Sequence, residues 1–241
     1  MSTAHGSLPQ TVPAAGPAAP LVRGLPGQCE LCRRWQTSRL CAQCAPADPG
    51  PRCQGCGLRL AQAGLHCGAC QASRWPFERT YCAVDYGHPW DRLIAAFKYR
   101  GQVELAGVLA ERLSQVLDPD SLAWPQCVVP VPLAPARLAE RGYNQAWELA
   151  RRVAARAGCR AEAHVLRRAA GGSAQAGLKR ADRQRNLAGV FSVARPAVVA
   201  GRRIALVDDV LTTGATAAAA TEALLAAGAS AVQVWALART P

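Results

Sequence analysis

The chain has 241 residues, enough for one sizeable hydrophobic core and a small accessory domain. Its 28 lysines and arginines against 16 acidic residues give a formal charge of +12, which favours a polyanionic partner or substrate, although solvated basic faces would give the same balance. Residues 1–27 lack an apolar core of signal-peptide length, and the Ala-rich run 214–238 carries Glu222 and is broken by Gly228, which favours a helix and a strand over a membrane span. We therefore expect a cytoplasmic protein, with any membrane association made through partner proteins.

The N-terminal third of the chain is unusual in composition. Residues 1–26 contain five prolines and little that could pack, so we expect a disordered leader. Four Cys-X-X-Cys pairs follow within residues 27–76, a spacing that favours metal ligation over disulfides. The eight cysteines are Cys29, Cys32, Cys41, Cys44, Cys53, Cys56, Cys67 and Cys70.

These pairs predict a metal-binding domain over residues 27–76. Two Cys-X-X-Cys pairs complete a tetrahedral thiolate site with no open position, as in structural zinc sites. Few apolar residues lie between the pairs, so metal binding would supply the stability of the unit. We expect two Zn²⁺ ions in a unit similar to a double zinc ribbon, with the first four cysteines on one ion and the last four on the other. The sequence also allows interleaved pairing, and a redox pair is the alternative to metal.

Residues 77–241 alternate between strand and helix patterns. Strands are predicted at 80–86, 127–133, 163–166, 190–193, 202–207 and 231–238, and helices at 89–98, 103–117, 144–157 and 217–227. This alternation predicts an α/β fold with a mainly parallel sheet covered by helices on both faces. Such sheets bind ligands at the carboxyl ends of their strands, so residues 130–137 and 208–216 are expected to face one cleft.

The run 204–216 carries the most specific pattern. Four apolar residues predict a buried strand, and Asp208 and Asp209 then precede a turn of small and hydroxyl-bearing residues that leads into a helix. Such a turn presents backbone N–H groups and a helix dipole to an anion, and paired carboxylates can hold sugar hydroxyls or a metal ion. We infer a site for a ribose 5-phosphate. The alternative is an ordinary turn and a helix capped by Thr212 or Thr213.

A basic segment at 167–187 has almost nothing to bury. It contains Lys179, Arg180 and Arg183. Loops of this length in a compact domain are usually functional, so we expect a lid that closes over the ligand. A solvated basic loop with no role is the alternative.

The run 204–216 resembles the PRPP-binding signature of type I phosphoribosyltransferases. With further motifs, the chain is similar to the ComF family of competence proteins from about residue 28 to the end. The motifs are the four cysteine pairs, Lys98-Tyr-Arg-Gly101, Pro130-Val-Pro-Leu133, Arg141-Gly-Tyr-Asn-Gln145, the spaced Gln175, Leu178, Arg183, Asn186 and Phe191, and Asp208-Asp-Val-Leu-Thr-Thr-Gly214. The resemblance implies a zinc finger before a phosphoribosyltransferase-like domain at 77–241, and a role in natural transformation or DNA utilisation.

The resemblance also implies roles for individual residues. Asp208 and Asp209 would hold the ribose hydroxyls and stabilise positive charge on the sugar, with Arg183 and Lys179 as catalytic cations of the lid. The 5-phosphate would be bound by Thr212, Thr213, Gly214, Ala215 and Thr216, and pyrophosphate by Arg137 and Arg141, with Mg²⁺ bridging the ligand oxygens. Lys98 is a weaker candidate for the same anion.

Three functions agree with these patterns. The first is a PRPP-binding protein that handles incoming single-stranded DNA, alongside proteins of the uptake machinery. The second is a phosphoribosyltransferase of nucleotide or base metabolism, and the third is a non-catalytic, PRPP-sensing DNA adaptor. No residue identifies the substrate that would accept the phosphoribosyl group. Three aromatic residues near the cysteines, Trp35, Trp75 and Tyr81, are candidates for base stacking or for packing.

Overall fold

The computed structural model describes residues 27–37, 39–44, 50–62, 64–119, 124–169 and 189–241. The predicted leader lies outside the described residues, as does most of the predicted lid, including Lys179, Arg180 and Arg183. Within the described ranges, no helix combines the length and apolar character that a bilayer-spanning segment needs.

The described elements follow the predicted alternation. The strands are β1 (Gly27–Gln28), β2 (Trp35–Gln36), β3 (Arg79–Asp85), β4 (Cys127–Pro130), β5 (Arg160–Ala161), β6 (Leu166–Arg168), β7 (Phe191–Val193), β8 (Arg203–Leu211) and β9 (Ala231–Arg239). The helices are α1 (Gly68–Ala72), α2 (Trp90–Tyr99), α3 (Ala106–Ser114), α4 (Pro135–Arg141), α5 (Gln145–Ala157), α6 (Pro196–Val199) and α7 (Ala215–Ala226), with a 3-10 turn at Val103–Leu105.

Five strands form the central sheet in the order β3-β9-β8-β4-β5, and every neighbouring pair is parallel. The strands β6 and β7 form a separate antiparallel pair, and so do β1 and β2. Parallel strands need crossover connections, and α2, α3, α5 and α7 supply them. The carboxyl ends of the five strands therefore lie at one edge of the sheet.

Both faces of the sheet are buried. On β8, Ala205 and Val207 belong to a core that also contains Phe97 of α2, Leu109 of α3 and Leu149 of α5. The alternate β8 residues, Ile204 and Leu206, belong to the opposite core, together with Leu224 of α7. Burial on both faces explains why the strands are nearly continuous apolar runs. The expected fold class, a mainly parallel sheet with helices on both faces behind a cysteine-rich unit, is confirmed.

Three details differ from the sequence prediction. Strand β8 continues to Leu211, because β9 pairs with it as far as Leu211 opposite Arg239. The strand predicted at 163–166 is misplaced: residues 162–165 lie between β5, which pairs with β4 in the sheet, and β6, which pairs with β7. Helix α4 was not predicted; its side chains are not buried, so its sequence has no apolar period, although Pro135 at its start was a usable signal.

Candidate functional site

A cavity of about 360 Å³ lies at the carboxyl ends of β4 and β8. It is lined by the ends of both strands, by α4, by the end of α2 and by the turn before α7. The lining residues are Tyr86, Lys98, Tyr99, Val131, Pro132, Leu133, Arg137, Arg141, Asn144, Ala146, Arg168, Asp208, Asp209, Val210, Thr212, Thr216 and Thr240. The structure thus brings the two predicted segments, 130–137 and 208–216, to one cleft.

The acid pair lies within β8, where successive side chains alternate between the two faces. Lys98 Nζ, at the end of α2, lies 2.9 Å from Asp209 Oδ1, and both side chains are largely buried. The backbone N–H of Asp209 donates to Asp208 Oδ1 over 2.8 Å. Burial and the adjacent Asp209 charge raise the pKa of Asp208 to about 7, against the opposing effect of Lys98. Ionisation of both carboxyl groups therefore costs free energy unless a bound ligand stabilises the second negative charge.

Four cationic side chains line the cavity around this acid pair: Lys98, Arg137, Arg141 and Arg168. The guanidinium of Arg141 lies 4.8 Å from the ring centroid of Tyr99, and its Nη1 donates to Gln145 Oε1 over 3.0 Å. Arginine forks suit phosphate oxygens, so this wall of the cavity is suited to a polyanion. Sequence reasoning anticipated Arg137 and Arg141 here. It missed Arg168 and Tyr99, although Tyr99 follows Lys98 in a motif already noted.

The turn before α7 has the geometry of an anion cradle. Gly214 adopts φ +81° at the N-cap of α7, a conformation that favours glycine. Thr212 and Thr216 line the cavity, and Thr213, Gly214 and Ala215 complete the turn between them. A helix of 12 residues starts here, and the start of a helix favours an anion through its N–H groups and its dipole.

The motif Arg141-Gly-Tyr-Asn-Gln145 fixes the opposite wall. Gly142 ends α4 with φ +76°, and the hydroxyl of Tyr143 donates to the carbonyl oxygen of Phe97 on α2. Asn144 caps α5 by accepting from the Ala146 N–H over 2.9 Å, and its Nδ2 donates to Val131 O over 3.1 Å. These bonds tie α4, α5, α2 and the end of β4 together, which positions the cationic side chains.

The eight paired cysteines form two groups of four. The first group contains Cys29, Cys32, Cys41 and Cys44, and the second, which we call the distal cluster, contains Cys53, Cys56, Cys67 and Cys70; within each group all sulfur atoms lie within 4.8 Å of one another. The expected pairing is thus confirmed over interleaving.

The spacing of the sulfur atoms matches a metal site. The distances Cys32 Sγ–Cys41 Sγ and Cys56 Sγ–Cys67 Sγ are both 3.7 Å. A tetrahedron with metal–sulfur bonds of about 2.3 Å has edges of about 3.8 Å, whereas a disulfide needs about 2.05 Å. Backbone N–H groups, including that of Cys67, outweigh the effect of burial and lower the pKa of Cys53 below its ordinary value. Both groups therefore fit a tetrahedral thiolate-bound ion.

No model of a protein family matches the chain. DNA utilization protein YhgH of Escherichia coli strain K12 is 34% identical over 226 residues, which cover 90% of this chain and 98% of that protein. Competence protein F of Haemophilus influenzae is 33% identical over 207 residues, which cover 83% of this chain and 90% of that protein. The chain belongs to the ComF family. The family resemblance stated from the motifs is therefore confirmed.

Solved structures overlap with part of this ComF-family chain. Glutamine phosphoribosylpyrophosphate amidotransferase from B. subtilis gives a TM-score of 0.39 and 19% identity, covering 58% of this chain and 30% of that one. The protein TT1426 from Thermus thermophilus gives a TM-score of 0.32 and 22% identity, covering 60% of this chain and 85% of that one. The fold described above rests on the sheet of this chain itself: its all-parallel pairing, its strand order and its cavity at the carboxyl edge.

Proposed function

We propose that this ComF-family protein binds PRPP in the cavity at the carboxyl ends of β4 and β8 and acts in the uptake or use of DNA. One observation carries the ligand assignment: a single cavity joins an acid pair, a helix N-terminus and four cations. Ribose hydroxyls, a monophosphate and a pyrophosphate need those three kinds of partner together.

The roles follow from position. Asp208 and Asp209 accept from the 2- and 3-hydroxyls, and the turn from Thr212 to Thr216 holds the 5-phosphate at the start of α7. Arg137 and Arg141 bind pyrophosphate on the opposite wall. Lys179 and Arg183, outside the described residues, are proposed to complete the anion site.

The reaction open to this site is transfer of the phosphoribosyl group. The bond from the anomeric carbon to the pyrophosphate oxygen breaks, pyrophosphate leaves with the electron pair, and a nucleophile that loses its proton forms the new bond. Asp208 and Asp209 stabilise positive charge on the sugar. Mg²⁺, when bound, neutralises phosphate charge; the carboxylate and ligand oxygens are the hard donors it prefers. Because Lys98 already pairs with Asp209, oxygens of the bound ligand would supply most of the donors for Mg²⁺.

The variant Asp209→Ala tests this assignment. It removes the partner of Lys98 and one hydroxyl acceptor, so PRPP binding and PRPP-dependent pyrophosphate release should both be lost. Glu111→Ala, an exposed acid on α3, is the matched control and should retain both. The native protein could bind PRPP without releasing pyrophosphate, whichever nucleobase or single-stranded DNA is offered as acceptor. That result would favour the PRPP-sensing adaptor. DNA uptake that persists in the Asp209→Ala strain would show that catalysis is not the cellular role.

The DNA role is supported by the names of the relatives and by the cysteine-rich unit. Residues 27–76 carry six arginines against two acidic residues. Trp35 is 71% exposed and directly follows Arg33 and Arg34, whereas Tyr81 is buried and Trp75 stacks on Phe77. Of the three aromatic candidates, Trp35 therefore has the ring surface that a base of a single strand needs.

Single-stranded DNA binding should depend on Trp35. Loss of one stacked base costs about 1–3 kcal/mol, so Trp35→Ala should weaken binding of a labelled oligothymidylate by about 5- to 150-fold in fluorescence anisotropy. Leu65→Ala, another exposed apolar residue of the same unit, is the control. Affinity should fall steeply with salt if phosphates dominate. Equal binding by both variants would remove Trp35 from the interface.

A further inference from the structure

The distal cluster is docked directly on the sheet that carries the proposed PRPP site. The backbone N–H of Thr80 on β3 donates to Gln54 O over 2.7 Å, and its hydroxyl donates to Gly55 O over 2.8 Å. Arg52 and Arg59 both pair with Asp85 at the end of β3, at 2.7 and 2.8 Å. The segment that provides Cys53 and Cys56 thus lies along the edge strand β3, from Thr80 near its start to Asp85 at its carboxyl end.

Arg239, the last residue of β9, connects this segment to the turn from Thr212 to Thr216, which we call the phosphate turn. Its Nε donates to Cys56 O over 2.8 Å, and its Nη1 donates to Leu211 O over 3.2 Å. The same nitrogen also donates to the carbonyl oxygens of Thr212 and Thr240. The side chain is buried, with 9% of the residue exposed, and all these partners are carbonyls. One guanidinium therefore binds the backbone of a cluster ligand and the backbone of the turn at the same time.

The bond to Thr212 O has a consequence for anion binding. In a trans peptide the C=O and the following N–H point in opposite directions. Because Arg239 holds the carbonyl of Thr212, it directs the N–H of Thr213 away from itself. That N–H is the first of those that the turn would offer to the proposed 5-phosphate.

Trp75 makes a second connection. Its Nε1 donates to Cys70 Sγ over 3.4 Å, so it contacts a ligand atom of the distal cluster. The far edge of the same ring lies against Gly214: a Cβ placed there would be 2.9 Å from the Trp75 ring. Stacking on Phe77, with 5.4 Å between ring centroids, limits the tilt of the indole. A shift of Cys70 is therefore transmitted through a rigid ring to the N-cap of α7.

We propose that Arg239 and Trp75 are positioning residues that couple the distal cluster to the phosphate turn, so that an ion in this cluster sets the affinity of the site for phosphorylated ribose. The proposal rests on the function proposed above. The first cysteine group is the internal contrast, because it packs on the face of the sheet covered by α2, α3 and α5: Cys29 belongs to that core. Arg39 beside it pairs with Glu30 and lies 3.7 Å from Glu104.

Two conservative variants test the coupling in the zinc-loaded, full-length protein. Arg239→Lys keeps the charge but cannot span two backbone segments with a fork, and Trp75→Phe keeps a ring but loses the N–H. Arg203→Lys, at the opposite end of β8, and Trp124→Phe, which lies against Trp235, are the matched controls. In the two test variants, hydrogen exchange should become faster in the peptide spanning residues 212–216 and stay unchanged in the peptide spanning 132–142. In the two control variants, exchange should be unchanged in both peptides.

Two further readouts separate the possible results. PRPP affinity should fall by about tenfold in each test variant, the loss of one backbone-orienting contact of about 1.4 kcal/mol. With Co²⁺ in place of zinc, PRPP should shift the thiolate absorption of the native protein and not that of Arg239→Lys. Unchanged exchange at 212–216 would overturn the coupling. Faster exchange in a protein that binds no PRPP would instead overturn the proposed ligand and leave the structural link intact.

Discussion

Replacing Asp208 with asparagine should stabilise the unliganded protein. The pKa of Asp208 is raised to about 7 by burial and by Asp209, whereas an aspartate in an unfolded chain titrates near 4. The native state thus keeps a proton that the unfolded chain releases, and stability falls as pH rises from about 4 to about 7. The shift of roughly three units sets an upper limit of about 4 kcal/mol at 1.36 kcal/mol per unit. The asparagine side chain is neutral and retains an oxygen for the Asp209 N–H.

The assay is urea unfolding of both proteins between pH 4 and pH 8, without Mg²⁺ and at one free zinc concentration. The Asp208→Asn protein should be more stable by about 2–4 kcal/mol at pH 8, and the difference should vanish near pH 4. The same variant should lose PRPP binding, because the acid pair is proposed to hold the ribose. The gain in the free energy of unfolding would then measure how much the ionised Asp208 destabilises the unliganded protein.

Asp85→Asn is the control of opposite sign. Burial opposes the charge of Asp85, but Arg52 and Arg59 outweigh it and lower its pKa. Its stabilising effect is present above the unfolded pKa of about 4 and is lost as pH falls through the folded pKa. This variant should therefore be less stable at pH 7 by about 1 kcal/mol, discounted for partial exposure. If Asp208→Asn is only as stable as the native protein at pH 8, or less stable, a second negative charge in the acid pair does not destabilise the unliganded protein, and the reasoning is refuted.

Three further results are expected. Gly214→Ala, with its Cβ 2.9 Å from Trp75 and φ +81°, should cost about 1–3 kcal/mol and most PRPP affinity, whereas Gly107→Ala, with no atom near its Cβ, should be neutral or stabilising in thermal unfolding. Asn144→Ala should lower stability by about 1–2 kcal/mol through loss of the α5 cap, seen as a lower urea midpoint with unchanged slope. A chelator should release two Zn²⁺ per chain and expose the eight clustered thiols to a thiol reagent, while an unchanged thiol count would contradict metal ligation.

The elements that sequence reasoning found are those with a local signal. Cysteine spacing predicted both clusters, and the apolar run before Asp208 predicted the central strand. Its end was misplaced, because pairing with β9 extends it through polar residues whose own pattern indicates a turn. Helix α4 lies on the surface, so burial leaves no periodic trace in its sequence.

The contacts that define the site depend on distant parts of the chain. Lys98 was the weakest cationic candidate, yet its partner Asp209 lies 2.9 Å away across the fold. Arg239 followed the predicted end of the last strand and had no motif of its own, but strand order places it between Cys56 and Thr212. No local pattern identifies such partners, since they depend on which strands are neighbours in the sheet.

Calorimetric titration of the native protein with PRPP in the presence of Mg²⁺ tests the central claim most directly. We expect one PRPP per chain, weaker binding without Mg²⁺, competition by pyrophosphate, and no binding in Asp209→Ala. Addition of single-stranded DNA before the titration would show whether the two ligands influence each other. Absence of PRPP binding by a folded, zinc-loaded native protein would contradict the account.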